Sequence, residues 1–208
     1  VMEFISGGSV DSFLEQNPQL SIFKRTKIAM EAAAGLDYLH SKGCIHRDIA
    51  ARNLLIEKVA KVADFGLTRK TRHYRVDTEK PMNLRWISPE VFETAVVNMA
   101  TDVYAFGITL FEIYVVPYDV PYSRWDADEV FKKVVNQGYR ISPPYTAPKD
   151  IANMMKECLL EPSLRPTFKM IHVFLLAQAK IMERNPKMNE DIVVDSASKD
   201  EKKKKKSK

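Results

Sequence analysis

The chain has 208 residues, 45% hydrophobic and 28% charged, a length and balance that suit one globular domain or lobe with a sizeable core. Its formal net charge of +5 lies wholly in the last ten residues, where seven Lys face Asp200 and Glu201, so no basic nucleic-acid footprint covers the rest. Two distant cysteines, Cys44 and Cys158, exclude a disulfide scaffold and a CxxC metal site and suit a reducing, cytoplasmic compartment. No signal peptide and no apolar run of about 18 residues is present.

Residues 1–4 read as the end of a strand, followed by a Gly7-Gly8 hinge or turn. A short helix is expected over 10–17, stopped by Pro18. From Ser21 to Ser41, Ile28, Ala32, Leu36 and Leu39 recur at three- and four-residue steps, an amphipathic helix ending near Gly43. Two short strands around a tight turn follow, in Leu54–Glu57 and Ala60–Phe65. Residues 66–88 lack periodicity and predict a long functional loop. The stretch 101–115 is apolar almost all round and belongs in the middle of a core. Asp126 and Glu129 form an Asp-x-x-Glu start for a helix to about Gln137. Two more helices are expected over 149–160 and 167–184. From Pro186 the chain turns polar and ends in a Lys run, so 185–208 is expected to be a disordered tail.

Between two apolar runs, C-I-H-R-D-I-A-A-R-N-L-L-I (Cys44 to Ile56) packs His46, Arg47, Asp48, Arg52 and Asn53 into eight positions. Asp48, Asn53 and Asp64 supply two carboxylates and an amide oxygen, brought close by the strand pair. Such hard oxygen donors suit magnesium, which takes one or two carboxylates plus substrate phosphates. Asp48, on the loop side, could face a substrate hydroxyl instead.

The set His46-Arg47-Asp48, Asn53 and Asp64-Phe65-Gly66 resembles the signature of the protein kinases. Three further stretches follow in the family's order. Ser88-Pro89-Glu90 stands for A-P-E, 102–107 (D-V-Y-A-F-G) resembles the central-helix motif, and 164–168 (L-R-P-T-F) resembles the R-P-T-F near the end. The resemblance covers residues 1–184 and is to the hinge and C-terminal lobe. It implies a mainly helical fold around an apolar central helix, with a small hairpin carrying the catalytic loop. Ala50 with Arg52 in A-A-R-N, and 84–90 (L-R-W-I-S-P-E), follow the tyrosine-kinase pattern, in which Arg supplies the charge near the transferred phosphate. Non-receptor Fes/Fer kinases look most similar, which would imply an upstream SH2 domain.

The resemblance implies ATP and Mg2+ as cofactors and protein tyrosines as substrates. Asp48 would orient the tyrosine hydroxyl and accept its proton, Arg52 would stabilise the phosphoryl group, and Asn53 and Asp64 would hold the metal. Met2 resembles the gatekeeper, the backbone of Glu3 and Ile5 would bond adenine, and Leu55 would floor the pocket. Tyr74 is expected to be an activating phosphosite paired by Arg47. His46 reads as a core residue under Phe65. Glu90 and Arg165 would form a buried pair, and Asp102 would bond the catalytic-loop backbone. The Lys tail reads as solvated, with contact to an anionic membrane or nuclear import left open.

Ser88, Tyr104, Asn83 and Leu159 depart from the family pattern, mostly at packing positions, and the hairpin is about two residues short. No G-x-G-x-x-G and no V-A-I-K lysine occur in these residues, so an absent N-terminal lobe and little activity for the piece alone are expected. The competing reading is a truncated kinase-like lobe that serves as a weak or inactive binding module. The intact Asp48, Asn53 and Asp64 favour the enzyme.

Overall fold

Helix α4 (Met99–Tyr114) runs through the centre of the molecule because its sequence leaves no polar face to turn outward. Val103, Tyr104, Phe106, Ile108, Leu110, Ile113 and Tyr114 are at most 2% exposed, each burial contributing about 1.5–3 kcal/mol. A capping box starts the helix: Asn98 accepts the Ala100 and Thr101 amides, and Thr101 Oγ1 accepts the Asn98 amide at 3.0 Å. These features come from a computed structural model, which describes residues 6–77 and 82–192. The expectations for Met2, Glu3, Ile5 and the Lys-rich tail lie outside the described residues.

Around α4 pack α2 (Ile22–Ser41), α6 (Lys149–Cys158) and α7 (Phe168–Glu183). Ser21 caps α2 through the Lys24 amide and Thr167 caps α7 through the Met170 amide, both at 3.3 Å. The apolar stripe of α2 faces inward, with Ile28, Ala32 and Leu36 buried. Gly107 permits the close approach of α6, since a Cβ there would lie 2.8 Å from Cys158 Cβ. Arg25 on α2 is buried and donates to the carbonyls of Leu20 (3.0 Å), Pro18 (3.0 Å) and Ile113 (2.6 Å). Ile113 sits at the negative end of α4, where a cation is favoured. Burial pulls the Arg25 guanidinium down to about 10.

Three two-stranded antiparallel ribbons sit on this helical base. Strands β2 (Leu54–Ile56) and β3 (Ala60–Val62) pair with Leu54 opposite Val62 and Ile56 opposite Ala60. Glu31 of α2 accepts the Ala60 amide at 2.7 Å and anchors the hairpin. The Gly7-Gly8 turn lies directly against it. A Cβ on Gly7 would fall 1.8 Å from the Ile56 carbonyl oxygen, and Gly8 has a φ of +75°; only glycine fits both demands. Short helix α1 (Val10–Gln16) follows.

Three expectations need correction. Residues 66–88 are not one long loop: β4 (Arg69–Lys70) pairs with β1 (Cys44–Ile45), and β5 (His73–Arg75) pairs with β6 (Val96–Asn98), which follows the short helix α3 (Glu90–Thr94). Strands of two or three residues carry too little pattern to be read from sequence. The helix after Asp126, whose side chain accepts the Glu129 amide at 2.8 Å, is α-helical only as α5 (Ala127–Val130) and then widens to a π-helix over Phe131–Asn136. The segment after Arg184 is folded as far as residue 192. Helix α8 (Pro186–Asn189) lies against α2 and α7, Met188 joins the core margin, and the Ile192 amide bonds the Gln19 carbonyl at 2.7 Å.

Candidate active site

The loop between β1 and β2 is fixed from below by one buried carboxylate. Asp102, in the first turns of α4 and 2% exposed, accepts the backbone amides of His46 at 2.7 Å and Arg47 at 2.9 Å. Its Oδ2 also lies 2.9 Å from His40 Nε2 on α2. These bonds hold Arg47 at a φ of +77°, left-handed backbone that costs an L-residue about 1–2 kcal/mol. Strain of this kind persists where the surroundings over-determine it.

Beyond Arg47 the chain presents Asp48 with both carboxylate oxygens engaged. Arg52 Nη2 meets Oδ1, and Asn53 Nδ2 donates to Oδ2 at 2.8 Å and to the Asp48 carbonyl at 2.7 Å. A single turn of 3-10 helix, Ala51–Asn53, makes this possible by folding Arg52 and Asn53 back over Asp48. Asp48 and Arg52 remain partly open to solvent. His46 is fully buried; its Nδ1 accepts the Asp48 amide at 3.3 Å, and Nε2 lies 3.0 Å from the Ala63 carbonyl. One tautomer, protonated on Nε2, satisfies both contacts. His46 thus ties Asp48 to the residue before Asp64, and its ring lies 5.6 Å from that of Phe65.

Asp64 also adopts left-handed backbone, φ +56°, and its exposed carboxylate accepts the Gly66 amide at 3.3 Å. Phe65 is half exposed. With its amide nitrogen committed to Asp48, Asn53 can offer a metal only its carboxamide oxygen, and Asp64 offers a carboxylate. Two hard oxygen donors fit the sparse protein shell that Mg2+ accepts when phosphates complete it. Among the described residues no cluster of three or more His, Cys, Asp or Glu could hold an ion. Leu55 is half-buried at the centre of β2, where Ser9 bridges to it.

A cavity of about 380 Å³ opens beside Asp48, with Arg47, Arg69, Tyr74, Trp86 and Ser88 in its wall. Tyr74, paired with Val97 across β5 and β6, lies with its ring against two guanidinium groups, Arg47 at 4.0 Å and Arg69 at 5.5 Å. Arg47 Nη1 donates to the Leu67 carbonyl at 2.9 Å. Burial lowers the Arg47 pKa, with Arg69 adding to it and Tyr74 and Asp102 opposing. Arg165, 9% exposed, forms a two-point ion pair with Glu90 at 2.6 and 2.9 Å. Burial alone would raise the Glu90 carboxyl, but Arg165 outweighs it and holds the group below the usual range. Arg165 also donates to the Leu160 and Ala100 carbonyls and faces the Tyr104 ring at 5.1 Å. Tyr104 and Leu159, two departures noted in the sequence, fill buried positions next to Arg165 and Gly107.

The structure adds residues that sequence reading missed. His40 shares Asp102 with the loop, although nothing in its helical context set it apart. Arg85 donates to the carbonyls of Pro121 (2.9 Å), Tyr122 (2.5 Å) and Trp125 (2.8 Å), tying the segment before Ser88 to the connection after α4. Glu112 and Trp86 bond one another beneath Arg52. An acidic residue at the apolar C-terminal end of α4 was the available signal for Glu112.

Comparison with known proteins gives the same outline. A model of the protein tyrosine and serine/threonine kinase family matches residues 1–175. The tyrosine-protein kinase transforming protein Fps of Fujinami sarcoma virus is 35% identical over 187 residues, 86% of this chain and 21% of that protein. The macrophage colony-stimulating factor 1 receptor of Mus musculus is 36% identical over 196 residues, 88% of this chain and 20% of the receptor. The megakaryocyte-associated tyrosine-protein kinase of Rattus norvegicus is 35% identical over 177 residues, 82% of this chain and 37% of its own length. The chain thus spans between about a fifth and little more than a third of these relatives. With its helical base, catalytic-loop geometry and this similarity along most of its length, the chain belongs to the protein tyrosine and serine/threonine kinase family.

Proposed function

We propose that the chain carries the catalytic half of an ATP- and Mg2+-dependent protein-tyrosine kinase. The observation that supports this most is Asp48, whose carboxylate is clamped by Arg52 and Asn53 at the mouth of a cavity. Asp48 orients a substrate tyrosine hydroxyl and accepts its proton as the phenolic oxygen bonds to the γ-phosphorus of ATP and the bond from that phosphorus to the bridging oxygen breaks, releasing ADP. Arg52 turns N–H groups toward the phosphoryl oxygens, its planar fork matching their geometry. Asn53 and Asp64 hold the metal, which when bound offsets phosphate charge. Leu55 floors the adenine pocket in this reading, which also assigns Met2 the gatekeeper role and the backbone of Glu3 and Ile5 the bonds to adenine.

Tyr74 is the proposed phosphosite. A phosphate there adds about −1.5 to −2 charges beside Arg47 and Arg69, exchanging a ring-to-guanidinium contact for ion pairs and moving the tyrosine out of the cavity wall. Both cysteines are free, and no helix of the described residues is long and apolar enough to cross a membrane. These features suit a cytoplasmic enzyme with protein substrates; an upstream SH2 domain and contact of the Lys tail with a membrane belong to the same reading.

Phosphotransfer from labelled ATP to a tyrosine peptide, run with the whole protein that contains this chain, tests the function. Asp48→Asn should lower turnover about 10²–10⁴-fold, the usual contribution of a positioned general base. Labelling of serine in place of tyrosine would overturn the acceptor assignment. Turnover unchanged by Asp48→Asn would overturn the site.

A further inference from the structure

One buried carboxylate outside the catalytic set touches three separate segments, one of which lines the cavity. Glu112, in the last turn of α4, is 1% exposed. Its Oε2 accepts the Ala51 amide at 3.1 Å and the Trp86 indole Nε1–H at 2.8 Å. Its Oε1 accepts the Tyr118 hydroxyl at 3.0 Å, from the connection that follows the helix. Ala51 immediately precedes Arg52. The Trp86 ring is the surface on which Arg52 rests, with the guanidinium carbon 4.6 Å from the ring centroid. Arg52 in turn bonds Asp48.

We propose that Glu112 is a positioning residue for phosphoryl transfer: by fixing the Trp86 ring and the Ala51 peptide, it sets where the Arg52 guanidinium sits and, through Arg52, where Asp48 points. The proposal rests on the reading of Asp48 and Arg52 as the transfer site. Indole nitrogen is a donor only, so a buried Trp86 N–H needs an acceptor, and a charged one binds it more firmly than a neutral one. A guanidinium over an aromatic face is attracted by the ring's electron-rich face, more strongly as water is excluded. That attraction is directional only while the ring is held still. Glu112 holds the ring at one end and the peptide leading to Arg52 at the other, so both partners of the stack share a single anchor in the buried central helix. Burial pushes the Glu112 carboxyl up to about 7, against the pull of Trp86, Ala51, Tyr118 and Arg52; even with these donors, holding a carboxylate there costs stability. A residue serving packing alone would be better as Leu or Met.

The chain's two tryptophans are Trp86 and Trp125, so Trp125→Phe leaves Trp86 as the sole fluorescent reporter. In that background Arg52→Met should shift Trp86 emission, because it removes the stacked cation. The shift should be lost in Glu112→Leu and regained in Glu112→Gln, whose carboxamide oxygen still accepts the indole. Circular dichroism identifies variants that stay folded; if Glu112→Leu does not, Glu112→Asp, one carbon shorter, carries the same comparison. Emission that responds to Arg52→Met equally with and without the Glu112 side chain overturns the proposal. The readout needs no enzymatic turnover. A chain showing the expected coupling but labelling no tyrosine peptide would count against the proposed reaction and for the linkage.

Discussion

In the helical base, Arg25, Asp102 and Arg165 are buried, and each side chain is engaged by several partners. Arg25 spends its donors on three carbonyls, Arg165 on a carboxylate and two carbonyls, and Asp102 collects two amides and a histidine. In the loop cluster above, the charges are half exposed and the backbone is bent into left-handed conformations at Arg47 and Asp64. Asp48 is held on both sides yet open to solvent, and Asp64 receives a single long amide bond. Buried charge with all partners in place fixes geometry; exposed charge with unused lone pairs is free to meet a substrate. The base supplies rigidity that the cluster cannot make from its own two- and three-residue strands.

If that division is right, breaking one buried charge should cost far more than altering an exposed loop. The largest effect is expected for Arg165→Ala. It strands Glu90 and the Leu160 and Ala100 carbonyls, at about 3–5 kcal/mol. For a chain of this size that is a fall in melting temperature of about 10 °C, readable by calorimetry. An unchanged melting temperature would show that the pair is ornamental. Asp102→Ala should cost about 3–4 kcal/mol, since two backbone amides lose their acceptor and each orphan costs about 1–3. Here a second substitution sharpens the comparison. Arg47→Gly should gain about 1 kcal/mol while Asp102 is in place, because glycine carries the positive φ without strain, and should gain less in the Asp102→Ala background, where the bend is free to relax. An equal gain in both backgrounds would mean that Asp102 does not hold the bend.

Glu112 separates base from cluster by pH. Its carboxyl is raised from 4.5 to about 7 by burial, the largest influence, against opposing bonds from Trp86, Ala51 and Tyr118 and the charge of Arg52; Asp11 and Glu15 of α1 lie behind Tyr118. A carboxyl raised in the folded state binds more protons there than in the unfolded chain between these two values. Stability from this group is therefore greatest below pH 4.5, falls as pH rises toward 7, and is level above. The fall amounts to about 3 kcal/mol at 1.36 kcal/mol per pKa unit. Urea unfolding from pH 5 to 8 should show the parent losing stability relative to Glu112→Gln. Parallel curves for the two would remove the raised carboxyl from the account.

How far these regions could be read from sequence differs for the same physical reason. The base is legible because helices of ten to twenty residues repeat their pattern several times: the stripe Ile28, Ala32, Leu36 and the unbroken run of α4 each point to one burial. The residues of the catalytic loop were legible from their spacing, as were the Glu90–Arg165 and Asp102 contacts from family resemblance. The ribbons β1–β4 and β5–β6 were not, because pairing between residues 26 positions apart (Cys44 with Lys70) leaves no local periodicity. Nor was the anchor of Arg52, since Glu112 and Trp86 meet only after α4 is threaded under the loop. Helix α8 was missed because Met188 alone marks its buried side within a polar stretch.

The smallest expected effect lies at Leu67, and it bears most directly on the comparison. Its side chain is 47% exposed, and its backbone carbonyl accepts from Arg47 Nη1. Leu67→Ser keeps that carbonyl and gives up little buried apolar area, so stability should change by no more than about 0.5 kcal/mol. Leu67 also lines the cavity beside Asp48. If this region serves ligand contact and not folding, the substitution should alter affinity for a tyrosine peptide in the whole protein while the denaturation midpoint of the chain stays put. A loss of stability approaching that of Arg165→Ala would place the loop within the cooperative core. It would then be the fixed half of the molecule, and the division between base and cluster would have to be drawn elsewhere.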